Sequence, residues 1–286
     1  MLKPNKLVNN NFLSSLDISK EEIDHILELA KKFKNKTLEI EVNNKVLGLI
    51  FDKSSTRTRV SFQVAMSRLG GTTIELNPNT SQIGRGEQIK DTARVLSKYC
   101  DALAIRTFNQ DDLIEYAKWF KKPVINALTD LEHPCQALAD FLTIQEEFKD
   151  LNNVKLAFIG DGNNVANSLI LMGSLLGVEV IIACPKGYEP SSLIIEKSKK
   201  INKKNDLKIT NDPYDAVIGA NVLYTDVWSS MGEENEKENK EKDFSGFTID
   251  QNLVNKADKD VIVLHCLPAY RGKEITDQIM ESKKSR

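Results

Sequence analysis

The sequence predicts an α/β fold made of two doubly wound parallel-sheet domains joined by a helical hinge. Three observations carry this expectation. Short apolar runs alternate with stretches of helical period, which means strands joined by crossover helices and therefore parallel sheets. The alternation runs from Ser19 to Phe148 and then restarts at Asn153, giving two series of similar length. The length of 286 residues suits two domains of about 150 residues better than one. The expected division is a first domain over 1–133, an interdomain helix over 134–150 and a second domain over 151–286.

The elements follow in order. Ser19 and Glu22 form a capping box ahead of Ile23, Ile26, Leu27, Ala30 and Phe33, which share one helical face. KVLGLIF (45–51) reads as a buried strand. The helix inside SSTRTRVSFQVAMSRLGG is expected to turn Val60, Val64 or Met66, and Leu69 inward. TTIEL is then a strand, EQIKDTARVLSKY a helix, DALAIRT a strand, DDLIEYAKWF a helix and KPVINAL a strand. PCQALADFLTIQEEF is a helix with Pro134 in its first turn, where the missing N–H has no intrahelical partner to lose. In the second series NVKLAFIGDG is a strand ending in a glycine turn, and NVANSLILMGSLLG is a helix ended by Gly177. VEVIIAC, LKIT, ANVLYTD and DVIVLHCLP complete the strands. The charged run SSMGEENEKENKEKDFSG (229–246) is expected as a mobile surface loop, because so polar a stretch cannot bury itself.

Composition narrows the function classes. Hydrophobic residues make up 41% of the chain, enough for ordinary cores and too much for a disordered protein. The net charge of −2 lacks the basic excess of a nucleic-acid binder. MLKPNKLVNNNFLSSLD has no apolar core of a secretory signal, and no apolar run approaches the ~18–20 residues of a membrane span. The cysteines, Cys100, Cys135, Cys184 and Cys266, are scattered with no C-x-x-C pair. That argues against a disulfide framework or structural zinc and for a reducing cytoplasm. The expectation is a cytoplasmic protein with neither nucleic acid nor membrane as partner.

In open α/β sheets ligands bind beyond the carboxyl ends of the strands. Nearly every polar oddity of the chain lies there: Ser55-Thr56-Arg57-Thr58, Arg106, His133-Pro134-Cys135-Gln136, Asp161-Gly162-Asn163-Asn164, Asp226 and His265-Cys266-Leu267-Pro268. A helix N-terminus offers free N–H groups and partial positive charge, and hydroxyls with an arginine fork complete an anion site. The competing reading of S-T-R-T-R is a well-capped helix with a basic solvent face. Arg106 emerges from an apolar strand, so it either pairs with a carboxylate or serves a ligand. His133 and Gln136 bracket a helix start, where they either cap it or hold a polarised carbonyl and an NH₂ group. GDGNN fails the dinucleotide spacing, because Val165 stands where the third glycine belongs. His265 and Cys266 are adjacent in a strand and should point to opposite faces, which argues against a Cys–His catalytic pair and against a metal pair.

FDKSSTRTRVSFQVAMSRLGG, SQIGRGEQIKDTARVLSKY, DLEHPCQALADFLTIQE, GDGNNVANSL, DVWSSMG and HCLPAYRG together resemble the ornithine carbamoyltransferases, from about Phe12 onward. S-T-R-T-R is shared with the aspartate branch of the superfamily, whereas HPCQ, SMG and HCLP resemble the ornithine branch. The resemblance implies transfer of the carbamoyl group of carbamoyl phosphate to the side-chain amine of L-ornithine, giving L-citrulline and phosphate. It implies that Ser55, Thr56, Arg57 and Thr58 cradle the phosphate and that Gln82 reaches a neighbouring subunit's phosphate site in a homotrimer. Arg106 and His133, with Pro134 and Cys135 in the same motif, would polarise the carbamoyl oxygen, and Gln136 would hold its nitrogen. Asn164, Asp226, Ser230 and Met231 match the ornithine site, and Cys266 and Leu267 match the segment facing the transferred group. The catalytic set so implied is Arg106, His133, Asp226 and Cys266. No metal, organic cofactor or covalent intermediate is required. The family's further helix with an E-N-R motif has no counterpart in this sequence, which leads to the expectation of an exposed apolar groove on the first domain. Alternatives are a sibling transferase using aspartate, putrescine or N-acetylornithine, a ligand-binding form without turnover, and a nicotinamide dehydrogenase.

Overall fold

A computed structural model describes residues 7, 10–77, 81–202, 207–229 and 237–286. The chain divides into two compact units, Met1–Cys135 and Gln136–Arg286. Each is built on its own parallel sheet with helices on both faces, as the alternating pattern predicts.

In the first unit β1 (Val46–Phe51), β2 (Thr72–Leu76), β3 (Ala102–Arg106) and β4 (Val124–Leu128) lie in the order β2-β1-β3-β4, all parallel. The chain leaves β1 for one side and returns on the other for β3, so the sheet reverses direction between those two strands. That reversal opens a crevice at their carboxyl ends. The helices are α1 (Lys20–Lys34), α2 (Arg57–Arg68), α3 (Ile89–Leu96), α4 (Gln110–Phe120) and the start of α5 (Pro134–Phe148). Ser19 caps α1 and Glu22 reaches back to the Ser19 N–H, completing the capping box. The period-2 alternation of β1 feeds two cores. Leu47, Leu49 and Phe51 pack with Phe62 and Met66 of α2, while Ile50 joins Leu103, Leu113 and Phe120 on the other face. Each fully buried side chain of this size contributes roughly 1.5–3 kcal/mol. Ahead of α1, Phe12 bridges to Ile125 in parallel and covers the free edge of β4.

One helix face differs from expectation. Val60 and Val64 are exposed, at 50% and 40%, and Phe62 and Met66 take the packing positions. Two residues along a helix amount to roughly 200° of rotation, so the 60/64 and 62/66 stripes cannot both face the sheet. The larger pair buries more apolar surface and wins the core.

In the second unit β5 (Lys155–Ile159), β6 (Glu179–Ala183), β7 (Lys208–Thr210), β8 (Val222–Thr225) and β9 (Ile262–His265) lie in the order β7-β6-β5-β8-β9, again all parallel. The reversal falls between β5 and β8. The helices after α5 are α6 (Asn164–Leu176), α7 (Ser192–Ile201), α8 (Pro213–Val217), α9 (Lys237–Asp243), α10 (Gln251–Val254) and α11 (Asp277–Met280). Helix α6 is buried on nearly every side and stops at Gly177, whose φ of 80° suits glycine.

The charged run 229–246 is not a loop throughout. Its second half folds as α9, and Phe244 beyond it is fully buried, stacking on Trp228 and meeting Tyr188 and Phe247 edge-on. Lys240 is buried as well, with Nζ 2.7 Å from Asp161 Oδ2 and lying over the Tyr188 ring. Phe244 and the paired Lys240, with Asp243 accepting from Tyr188 OH at 2.7 Å and Glu241 pairing with Lys273, dock an otherwise polar helix. The predicted site residues Ser230 and Met231 lie outside the described residues.

Backbone passes very close to backbone at the turn after β5. A Cβ on Gly162 would stand 2.3 Å from Pro190 N and 2.6 Å from Glu189 C. Neither neighbour is a flexible side chain, so Gly162→Ala forces the turn or the 189–190 segment to move. We expect a loss of about 1–3 kcal/mol, read as a lowered thermal unfolding midpoint; an unchanged midpoint would contradict the close approach.

Candidate active site

In the first unit the polar residues beyond β1, β3 and β4 assemble as follows. Thr56 precedes α2 with helical backbone angles and makes no side-chain capping bond. The helix therefore keeps its first-turn N–H groups uncapped by a hydroxyl, unlike the well-capped alternative. Ser55 and Thr58 are half-buried, and Thr56 and Arg57 are exposed. Among the described residues Arg57 makes no ion pair, whereas Arg59 pairs with Glu75 at 3.2 Å. Lys53 is buried in front of this loop, paired with Asp130 and lying over the Phe108 ring at 4.3 Å. That pair ties the segment after β1 to the segment after β4, which carries His133.

Arg106 and His133 are both 7% exposed. Burial, and then the neighbouring Arg106 charge, hold the His133 imidazole down to about 3. The ring is therefore neutral near pH 7 and acts as a hydrogen-bonding group. Its loop is anchored by Glu132, which is buried and accepts from Ser15 N at 2.9 Å and Ser15 Oγ at 2.7 Å. Cys135 donates from Sγ to the Asn126 carbonyl at 3.3 Å, and burial pushes its thiol up to about 12. It is thus a protonated structural donor. Gln82 is exposed at the head of a 3-10 turn, Ile83–Arg85.

In the second unit the residues beyond β5, β8 and β9 converge on Asp226, which is 7% exposed. Its Oδ2 accepts from Asn163 Nδ2 at 2.9 Å. Its Oδ1 accepts from Val227 N at 2.8 Å and from Cys266 Sγ at 2.9 Å. Burial pushes the Cys266 thiol well up, and the Asp226 carboxylate it faces pushes it further. A thiol held protonated is a donor and a poor nucleophile. Leu267 follows at a φ of 59°, a conformation uncommon for a branched residue, and its N–H donates to His265 Nδ1 at 2.9 Å.

The expectation that His265 and Cys266 diverge needs correction. Ligand atoms of Asp226, His265 and Cys266 lie within 4.8 Å of one another, because the strand ends at His265 and the chain bends there. A cation is nonetheless poorly served. His265 Nε2 lies 3.1 Å from the buried Glu274 Oε1 and Nδ1 accepts from Leu267, so both ring nitrogens are engaged.

Two residues of this cluster, Asp140 and Tyr224, escape the strand-end reading. Asn163, which that reading includes, donates to Asp226 and also caps α6 by accepting from Val165 N and Ala166 N; Asn164 is the first residue of α6. Asp140 is 6% exposed and accepts from Gln136 Nε2 at 2.9 Å and Tyr224 OH at 3.0 Å. Burial raises the Asp140 carboxyl to about 7 against those two hydrogen bonds. The sequence signals were the i, i+4 spacing of Gln136 and Asp140 and the i, i+2 spacing of Tyr224 and Asp226, each placing two polar groups on one face.

Comparison with known proteins follows the same division. Residues 10–146 match the model of the aspartate/ornithine carbamoyltransferase carbamoyl-P binding domain, and residues 152–286 match that of the Asp/Orn binding domain. An ornithine carbamoyltransferase of Prochlorococcus marinus subsp. pastoris is 76% identical over 287 aligned residues, covering 100% of this chain and 93% of that protein. One from Nostoc punctiforme is 53% identical over 98% of this chain and 92% of its own length. Among solved structures, ornithine carbamoyltransferase from Pyrococcus furiosus superposes with a TM-score of 0.92 at 45% identity, covering 98% of this chain and 91% of that one. The anabolic ornithine carbamoyltransferase from Campylobacter jejuni gives 0.90 at 43% identity, over 96% and 91%. These matches cover both units, and the chain belongs to the aspartate/ornithine carbamoyltransferase family.

Proposed function

We propose that the chain is an ornithine carbamoyltransferase, moving the carbamoyl group of carbamoyl phosphate to the side-chain amine of L-ornithine to give L-citrulline and phosphate. The observation that carries this reading is the pairing of two chemistries with two family domains. The unit matching the carbamoyl-P domain presents uncommitted Arg57 and a neutral His133 beside Arg106. The unit matching the Asp/Orn domain presents a buried carboxylate, Asp226, hydrogen-bonded by a protonated thiol. The named relatives favour ornithine as acceptor.

In this reading the α2 N-terminus, Ser55, Thr56, Thr58 and Arg57 take the phosphate, whose leaving is eased by charge already in place. Arg106 and His133 donate to the carbamoyl oxygen as it gains negative charge, and Gln136 accepts from the carbamoyl NH₂. The ornithine amine is protonated in free solution near neutrality, and it must shed that proton before its lone pair attacks. Asp226 and Cys266 orient it, with Asn164, Leu267, Ser230 and Met231 completing the amino-acid site. The ammonium proton leaves to solvent; the C–N bond then forms as the C–O bond to phosphate breaks, and in this reading the departing phosphate takes the second proton, which the nitrogen loses after attack. Positioning and fixed charge supply the rate. Gln82 is assigned to a neighbouring subunit's phosphate site in a homotrimer, a reading supported by its exposure and by the exposed Val60 and Val64. An arginine-biosynthetic role draws support from the anabolic Campylobacter relative. A cytoplasmic location draws support from the free thiols, and among the described residues no helix is long and apolar enough to cross a membrane.

Two substitutions test the assignment. Arg57→Ala should lower citrulline formation by about 100- to 1,000-fold with circular dichroism unchanged; near-normal kinetics remove the phosphate-site reading. Cys266→Ser, assayed across ornithine concentrations, should keep measurable turnover and mainly raise the KM for ornithine. A carbamoyl-thioester trapped on Cys266 would show the direct-transfer mechanism to be wrong.

A further inference from the structure

Asp140 has no role in the mechanism above, yet it is a carboxylic acid buried at the heart of the second unit. Its neighbours are specific. It lies one helical turn after Gln136 on α5, and its two oxygens are each met by one donor, Gln136 Nε2 at 2.9 Å and Tyr224 OH at 3.0 Å. The charged and titratable groups facing it are Tyr224 from β8, Asp226 just beyond β8 and Cys266 just beyond β9. All are neutral or negative. Among the described residues no cation pairs with it. A buried carboxylate so placed is costly, and a neutral side chain of similar size would serve packing better.

We infer that Asp140 is a positioning residue for carbamoyl transfer: as a carboxylate it fixes the orientation of the Gln136 amide and the Tyr224 hydroxyl, and taking up a proton releases that constraint. The inference rests on the proposed role of Gln136 toward the carbamoyl nitrogen. An ionised carboxylate only accepts hydrogen bonds. The Gln136 NH₂ must therefore face Asp140, which leaves the amide oxygen as the outward group. An acceptor is what a carbamoyl NH₂ requires. Protonated Asp140 has an O–H of its own to donate, so the amide is free to turn over and present NH₂ to NH₂. Burial and the nearby Asp226 charge place that proton uptake near neutrality, at about 7. His133, held down to about 3, does not titrate in this range.

The test is affinity for carbamoyl phosphate, without ornithine, from pH 6 to 8.5, with inorganic phosphate as the reference ligand that lacks the carbamoyl group. The ratio of the two affinities isolates the carbamoyl contact. In the wild-type protein this ratio should fall by about tenfold, the worth of one hydrogen bond, as pH drops through about 7. Asp140→Asn should show the low ratio at every pH while keeping its phosphate affinity, and its profile gives the baseline for ionisation of the ligands themselves. Tyr224→Phe removes a donor that holds the Asp140 carboxyl down, so its step should move to higher pH. An Asp140→Asn protein with the wild-type ratio and step overturns the inference, as does equal loss of both ligands, which signals general damage. If that variant does not fold, Tyr224→Phe decides, and an unmoved step overturns the inference. A wild-type protein with no preference for carbamoyl phosphate fails the proposed function itself, a result distinct from any of these.

Discussion

Burial of the Asp226 carboxylate is the constraint on which the second unit is organised. A charge taken out of water must be met by donors on every side. Here they come from three strand ends: Asn163 after β5, the Val227 N–H after β8 and Cys266 after β9. Each donor has its own requirement. Asn163 reaches Asp226 because it also caps α6, and the turn that presents it fits only because Gly162 has no side chain to strike Pro190. Asp161 beside it pairs with Lys240, one of the contacts that dock the polar helix α9. Cys266 donates because its environment keeps the proton on sulfur. The cluster is satisfied yet still negative, an arrangement suited to attracting and orienting an amine.

The first unit has the converse character, gathering positive charge and hydrogen-bond donors at Arg106, His133 and Arg57. Arg106 sits in the core at the end of β3, and its field together with burial keeps His133 neutral. An imidazole that cannot charge does not neutralise a nearby anion, but it donates a hydrogen bond without competing for protons. Arg57, by contrast, is exposed and makes no ion pair among the described residues. The two arginines therefore differ in kind: Arg106 is fixed by burial, whereas Arg57 is exposed.

Much of this was legible in the sequence. The two parallel sheets followed from strand–helix alternation, and the strand-end rule pointed to Arg106, His133, Asp226 and Cys266, which lie at or beyond the ends of β3, β4, β8 and β9. The Ser19–Glu22 capping box and the proline start of α5 were also legible. The rest depended on tertiary choices that local pattern does not record. Two apolar stripes on α2 competed, and the sequence did not say that Phe62 and Met66 would displace Val60 and Val64. The charged run hid α9 because its anchors, Lys240 and Phe244, are single residues in a polar context. Alternation along a strand placed His265 and Cys266 on opposite faces, but the strand ends between them and the rule lapses there. Asp140 carried only the local signal of its i, i+4 spacing to Gln136, and an acid in an amphipathic helix reads as surface until its partner Tyr224 on β8 is known.

In the proposed function the cluster around Asp226 selects an amine acceptor of the ornithine type for a carbamoyl group delivered from carbamoyl phosphate. The most direct measurement is transfer of labelled carbamoyl from carbamoyl phosphate to a panel of ornithine, N-acetylornithine, putrescine and aspartate. Labelled citrulline from ornithine, with the other three acceptors at background, is the predicted result. Turnover with aspartate at a comparable rate, or with none of the four, would contradict it.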